Sequence, residues 1–249
     1  MAPTRRSVAL SAALALSGSY ALSACGEVAL TAGDASVGDV ARAELGSNVA
    51  RWHLHRAGDA ERADAFLLPW PNDLSRDAMG RVDLDAFPHE GVHTLVRQYL
   101  QSFNGRLDGF SLQAATYFRF SGPIAPGSLP QGAAASLDAA SSVQLVDIDP
   151  ASPERGRRLP LQWYFREQET RYWPAHTLAV APAFGHPLRP RTRYAIVVTT
   201  DLRGPNGARF VRDADLERVL SGGAEADAVT AAARALYLPA VEAVASAGV

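Results

Sequence analysis

Cysteine is almost missing from this 249-residue chain: Cys25 is its single thiol, so no disulfide can form within it. Lysine is missing altogether. All 24 basic residues are arginine, which with the abundance of alanine reads as a coding bias toward GC rather than as a function. An excess of positive charge is also lacking. The formal net charge is −2, which argues against a nucleic acid as partner. Long apolar runs are scarce: beyond the N-terminal one, no stretch reads as long and apolar enough to cross a bilayer. The Gly-x-Ser-x-Gly elbow that exposes a catalytic serine does not occur. Its nearest approach, Gly109-Phe110-Ser111-Leu112-Gln113, lacks the last glycine and leads into a strand, so no catalytic residue is assigned.

What is there begins with a targeting segment. Arg5 and Arg6 supply a cationic start, and Val8 to Leu22 is uncharged and too short for a comfortable permanent span. Small residues close it as Leu22-Ser23-Ala24-Cys25. This tetrad resembles the lipobox of bacterial lipoproteins, in which the cysteine takes a diacylglycerol and becomes the new N-terminus. A buried apolar thiol or a catalytic nucleophile does not suit a place at the end of such a run. Lipid attachment at Cys25 is therefore the expectation, with acylation of the palmitate kind, and membrane lipid is the expected partner. Gly26 rather than aspartate follows, a pattern resembling lipoproteins sent to the outer membrane, so the expected place is the cell envelope, at the outer membrane or cell surface. Removing residues 1–24 leaves 225 residues and a charge of −4, from 22 basic against 26 acidic groups.

Residues 25–48 are small and polar with weak periodicity, and read as a flexible tether. Residues 49–212 read as a mainly β domain. Val49–Leu54 is a possible first strand, and the prolines flanking Trp70 forbid a helix there. Val92, Leu95, Val96, Tyr99, Leu100 and Phe103 recur at intervals of three and four, which predicts a helix over 91–103, stopped by Asn104-Gly105. Strand alternation recurs at 116–120, 159–166, 178–180 and 194–200, separated by Gly- and Pro-rich turns. The fold class expected is α+β, mainly β with flanking helices around an immunoglobulin-like sandwich. Residues 213–249 read as helical: a short helix around Leu216–Leu220 stopped by Gly222-Gly223, then an Ala-rich helix from about Ala224 that Pro239 should kink. The ending is abrupt and suggests a fragment that leads into a further domain.

Three stretches carry a resemblance: Leu68-Pro69-Trp70-Pro71-Asn72-Asp73-Leu74, Leu107-Asp108-Gly109-Phe110-Ser111 with the strand after it, and Leu178 to Thr200 through Pro187-Leu188-Arg189-Pro190. In this order they resemble the N-terminal domain of large bacterial extracellular lipases and esterases, the virulence factor lipase N-terminal type, over roughly residues 49–247. The resemblance implies a non-catalytic module, a downstream α/β-hydrolase domain carrying the serine, and no cofactor. Tyr194 reads as a structural tyrosine with its ring buried and its hydroxyl bonded to backbone.

His89-Glu90-Gly91-Val92-His93 matches the zinc-protease signature His-Glu-x-x-His, which needs both histidines on one face of a continuous helix. Pro88 stands directly before it, Gly91 lies inside it, and Val96 and Tyr99 occupy the places of the further glycine and histidine of the longer signature. No metal site is expected; His89, Glu90 and His93 read as solvent-facing residues at a helix start. His53 and His55 would share a strand face, while His176 and His186 lie in turns. Trp163, Tyr164, Tyr172 and Trp173 form a candidate aromatic cluster, read as core before sugar or acyl binding. The functional expectation is the non-catalytic front module of a membrane-anchored esterase. A stand-alone surface binding lipoprotein is the first alternative and a zinc peptidase the second.

Overall fold

The computed structural model describes residues 10–17, 48–55, 66–85, 87, 94–222 and 227–249, the first of these segments by its backbone alone. Among them the fold is mixed, with three small sheets, three helices and no closed barrel.

The largest sheet has its centre at β8 (Thr192–Thr199), flanked by β1 (Leu10–Ser17) and β4 (Val143–Asp147), with β5 (Arg158–Leu159) outside β4. All pairings are antiparallel. β4 went unpredicted because it does not alternate: all five of its residues are buried. A strand covered on both faces loses the period-two signal. Its two polar residues are satisfied. Gln144 donates to the carbonyls of Ala139 and Ser141 and accepts from Arg158 Nε at 2.6 Å. Asp147 accepts from Ser152 and from Arg189, at 2.6 and 2.5 Å.

β1 falls inside the apolar run read as a targeting segment. It pairs along all eight residues of β8, from Leu10 opposite Thr199 to Ser17 opposite Thr192. Processing before Cys25 would take this strand away and leave β4 as the neighbour of β8.

The second sheet is antiparallel: β7 (Thr177–Pro182) lies between β3 (Thr116–Arg119) and β6 (Leu161–Arg166). Pro160 has no N–H to give a ladder, and it falls between β5 and β6. β2 (Asn48–Ala50) pairs in parallel with β9 (Phe210–Arg212) and also touches the end of β3, where Arg51 N–H donates to the Arg119 carbonyl at 2.8 Å. The expected strand over 49–54 is thus three residues long, and the chain from 51 to 55 continues without a ladder.

The helix expected over 91–103 is α1, Thr94–Phe103; residues 91–93 lie outside the described set. Gly105 at φ 66° supplies the left-handed turn after it. α1 is held by its C-terminal end. Asn104 accepts from Leu84 N–H and donates to Asp85, while Gly105 N–H donates to Val82 and Val82 N–H to Leu107.

The C-terminal region is helical as expected: α2 (Ala214–Ser221) starts at the Asp213 cap and stops at Gly222, φ 72°. α3 (Ala228–Ser246) is capped by Asp227, whose carboxylate accepts from Thr230 N–H at 2.8 Å. It runs through Pro239 to its end. Its length and composition would allow it to span a bilayer, contrary to the expectation that nothing beyond the N-terminal run could. The positions Thr230, Ala233, Tyr237, Ala240, Ala243 and Val244 are nonetheless buried, and all but Thr230 belong to the one continuous core cluster. Alanine at these points lets the helix lie close against α2, and Tyr237 reaches into the core.

There it meets Trp52. The two rings stand edge to face at 5.1 Å, and the indole N–H donates to the Tyr237 hydroxyl at 3.2 Å. Fully buried Asn72 donates to the same hydroxyl at 3.0 Å. The Trp52 and Leu54 N–H groups, which lack a ladder, donate to Asp213 and Asp215 at 3.3 and 2.9 Å. A buried backbone donor left unpaired costs about 1–3 kcal/mol, so these two carboxylates replace the missing strand.

Candidate functional site

The most developed surface feature is built on the second sheet. Along β3, Thr116 and Phe118 are buried, which turns Tyr117 and Arg119 to the other face. In the ladder, Tyr117 stands opposite Ala179, and Ala179 stands opposite Tyr164. A row with a methyl side chain in the middle leaves a gap between two tyrosines. Trp173 fills it, with its ring 5.0 Å from Tyr117 and 6.1 Å from Tyr164, both edge to face.

The loop that returns Trp173 to this place is closed by Thr170. Its hydroxyl accepts from the Trp173 N–H at 3.0 Å, and its own N–H donates to the Trp173 carbonyl at 2.8 Å. Phe66 extends the row beyond Tyr117 at 6.1 Å. The neighbouring strand segment adds Trp70, packed against Phe87 and Phe110 at 5.5 and 5.6 Å, with the Arg76 guanidinium 5.2 Å from the Phe110 ring centre. Burial raises the Tyr117 phenol above its ordinary pKa. Tyr164 and Tyr172 are about half exposed, and Arg166 donates to the Tyr164 hydroxyl at 3.2 Å. Such a face offers ring surface and arginine donors.

The expected aromatic cluster is therefore regrouped. Tyr164 and Trp173 belong to it. Trp163, adjacent to Tyr164 on a strand, points to the opposite side and donates to the Pro130 carbonyl at 2.7 Å. Tyr172 lies beneath the Arg171 guanidinium instead. Tyr117 and Phe66 were missed. Alternation alone gave the outward direction of Tyr117, but only the register across Ala179 brings it to Trp173.

A second feature is a cavity of about 430 Å³ lined by Leu54, Leu68, Leu74 and Val229, with Ser75, Asp83 and His55 among its polar groups. This is within the range of small-molecule pockets. Of the other residues singled out by sequence, Cys25, His89, Glu90 and His93 lie outside the described residues. His53 and His55 do approach, 6.5 Å between ring centres. His53 Nδ1 faces Asp215 at 3.3 Å, so it is tied to the α2 cap network. No group of three or more metal-ligating side chains occurs among the described residues. Ser111 sits in a loop, where its hydroxyl is 3.4 Å from Gln113 N–H. His186 is exposed in a turn, and His176 adopts φ 55° at the approach to β7. Tyr194 is fully buried and its hydroxyl accepts from the Arg189 N–H at 3.1 Å, the structural role expected of it.

No family model, no curated protein and no solved structure matches the chain.

Proposed function

We propose that the chain is a bacterial lipoprotein, held at the cell envelope through acylated Cys25, and the non-catalytic N-terminal module of an extracellular lipase or esterase. The observation that carries the second half is the convergence of the three stretches behind the resemblance. Phe110 packs on Trp70 at 5.6 Å, Tyr117 N–H donates to the Trp70 carbonyl at 2.8 Å, and Tyr117 pairs with Ala179. Stretches far apart in sequence that build one packing unit are what a shared domain type requires. In this reading the sheets around β8 and β7 are the two layers of an immunoglobulin-like sandwich. The first half rests on Leu22-Ser23-Ala24-Cys25 after an uncharged run.

Each half has its own test. Cells expressing the full chain should incorporate labelled palmitate into it, and Cys25→Ala should abolish the label; persistence of label in that variant would remove the anchor. The coding frame read beyond Val249 should continue into a strand followed by Gly-x-Ser-x-Gly. An immediate stop would leave a stand-alone lipoprotein, for which the Trp173 face and the 430 Å³ cavity are the ligand sites to examine.

A further inference from the structure

A cleft of about 200 Å³ opens where α3 passes Pro239. The helix supplies one side of it, with Ala235, Leu236 and Pro239. The turn after β4 supplies the other, with Ile148 and Arg155, and Arg193 adds to it from the start of β8. Asp73 belongs to the helix side, because the adjoining Asn72 is bonded to Tyr237 in the same stretch of α3.

The two sides differ in chemistry. Pro239 has no N–H, so the Ala235 carbonyl cannot receive the hydrogen bond that the helix ladder would give it. Carbonyls of a helix point along its axis toward the C-terminus, which aims this one at the Pro239 ring that also lines the cleft. Beside it stands the Asp73 side chain, 1 % exposed and fixed by Arg76 Nε at 2.8 Å. The helix side therefore presents oxygen acceptors. The other side presents donors. Arg155 is exposed, and among the described residues its guanidinium has neither ion pair nor hydrogen bond. Its backbone is held, with the N–H donating to the Ser152 carbonyl at 3.3 Å. Ile148, buried, and Leu236, half-buried, supply apolar lining.

Such a cleft selects a ligand that carries both charges. A simple anion would meet Asp73 and a simple cation would meet the arginines, so each is favoured by one side and opposed by the other. Size narrows the choice, since pockets for drug-sized ligands begin at roughly 300 Å³. We propose that the cleft binds a small aliphatic α-amino acid, with its carboxylate on Arg155, its ammonium on the Ala235 carbonyl and its side chain against Ile148 and Leu236. The site is independent of the anchor and of the hydrolase reading.

A ligand-observed NMR titration of the full chain tests this with three probes. They are L-valine, isobutylamine, which lacks the carboxylate, and 2-hydroxyisovalerate, which lacks the ammonium. L-Valine should bind at least about tenfold more tightly than either, the loss expected for one charged hydrogen bond. Arg155→Ala should lower the affinity for L-valine about tenfold without weakening isobutylamine. Pro239→Ala returns an N–H to the Ala235 carbonyl, so it should raise the thermal midpoint and yet weaken both L-valine and isobutylamine. A damaged fold would lower midpoint and affinity together, which separates it from the loss of the carbonyl. No saturable binding of L-valine up to about 10 mM, equal affinity for the three probes, or undiminished L-valine affinity in either variant would overturn the proposal.

Discussion

Helix α1 has the apolar spacing that ordinarily marks a buried stripe, yet none of its residues is buried. Helix α3 is apolar on most of its circumference, contains a proline, and joins the core by one face. The difference is in what each helix meets. Among the described residues α1 is joined to its neighbours through hydrogen bonds at its C-terminal end, whereas α3 presents alanines that allow close approach and one tyrosine that joins Trp52 and Asn72. Amphipathic spacing says that a face wants cover; it does not say that the same chain supplies it. Burial of α3 comes from size complementarity and from one shared hydroxyl.

The comparison can be broken or sharpened by substitution. Tyr237→Ala should have the largest effect, a loss of about 3–5 kcal/mol from cavity formation and orphaned donors, read as a fall in the urea midpoint. Tyr237→Phe keeps the ring and removes the acceptor of Trp52 and Asn72, and should cost about 1–3 kcal/mol; a neutral result would mean the hydroxyl is not the joint between these segments. Asp227→Ala removes the α3 cap and should cost about 1 kcal/mol. Tyr99→Ser with Phe103→Ser should change stability by no more than about 0.5 kcal/mol. A cost near that of Tyr237→Phe would show that the α1 stripe is covered after all.

The smallest effect concerns the aromatic face. The Tyr117 pKa is raised by burial, so its neutral form is favoured in the fold. Stability is then complete below the ordinary tyrosine pKa of about 10 and declines as pH rises toward the folded value. Tyr117→Phe should flatten this alkaline decline, measured as midpoint against pH.

Much of the framework was legible. Alternation located β3, β6, β7 and β8, and Asn104-Gly105 and Gly222 marked helix ends where the backbone does turn left-handed. Proline and ladder logic explain the misses. Pro160, with no N–H for a ladder, parts β5 from β6 within the single run expected over 159–166, whereas α3 runs through Pro239 as the expected Ala-rich helix does. Fully buried β4 had no alternation to detect. The candidate site was less legible, because it is a property of register: Tyr117, Ala179 and Tyr164 come from three strands, and nothing local to any of them announces Trp173 in the gap. The same holds for Trp52, whose partner lies 185 residues further on.

That separation governs the order in which the molecule can close. A chain made from its N-terminus has Trp52 in place long before Tyr237. Until α3 forms, the indole has neither its ring partner nor its acceptor, and Asn72 waits on the same hydroxyl. Contacts of such long range form late. The sheets can pair in the meantime, but the joint between the Trp52 segment and α3 closes only when both are present, so this part of the core is completed after the sheets.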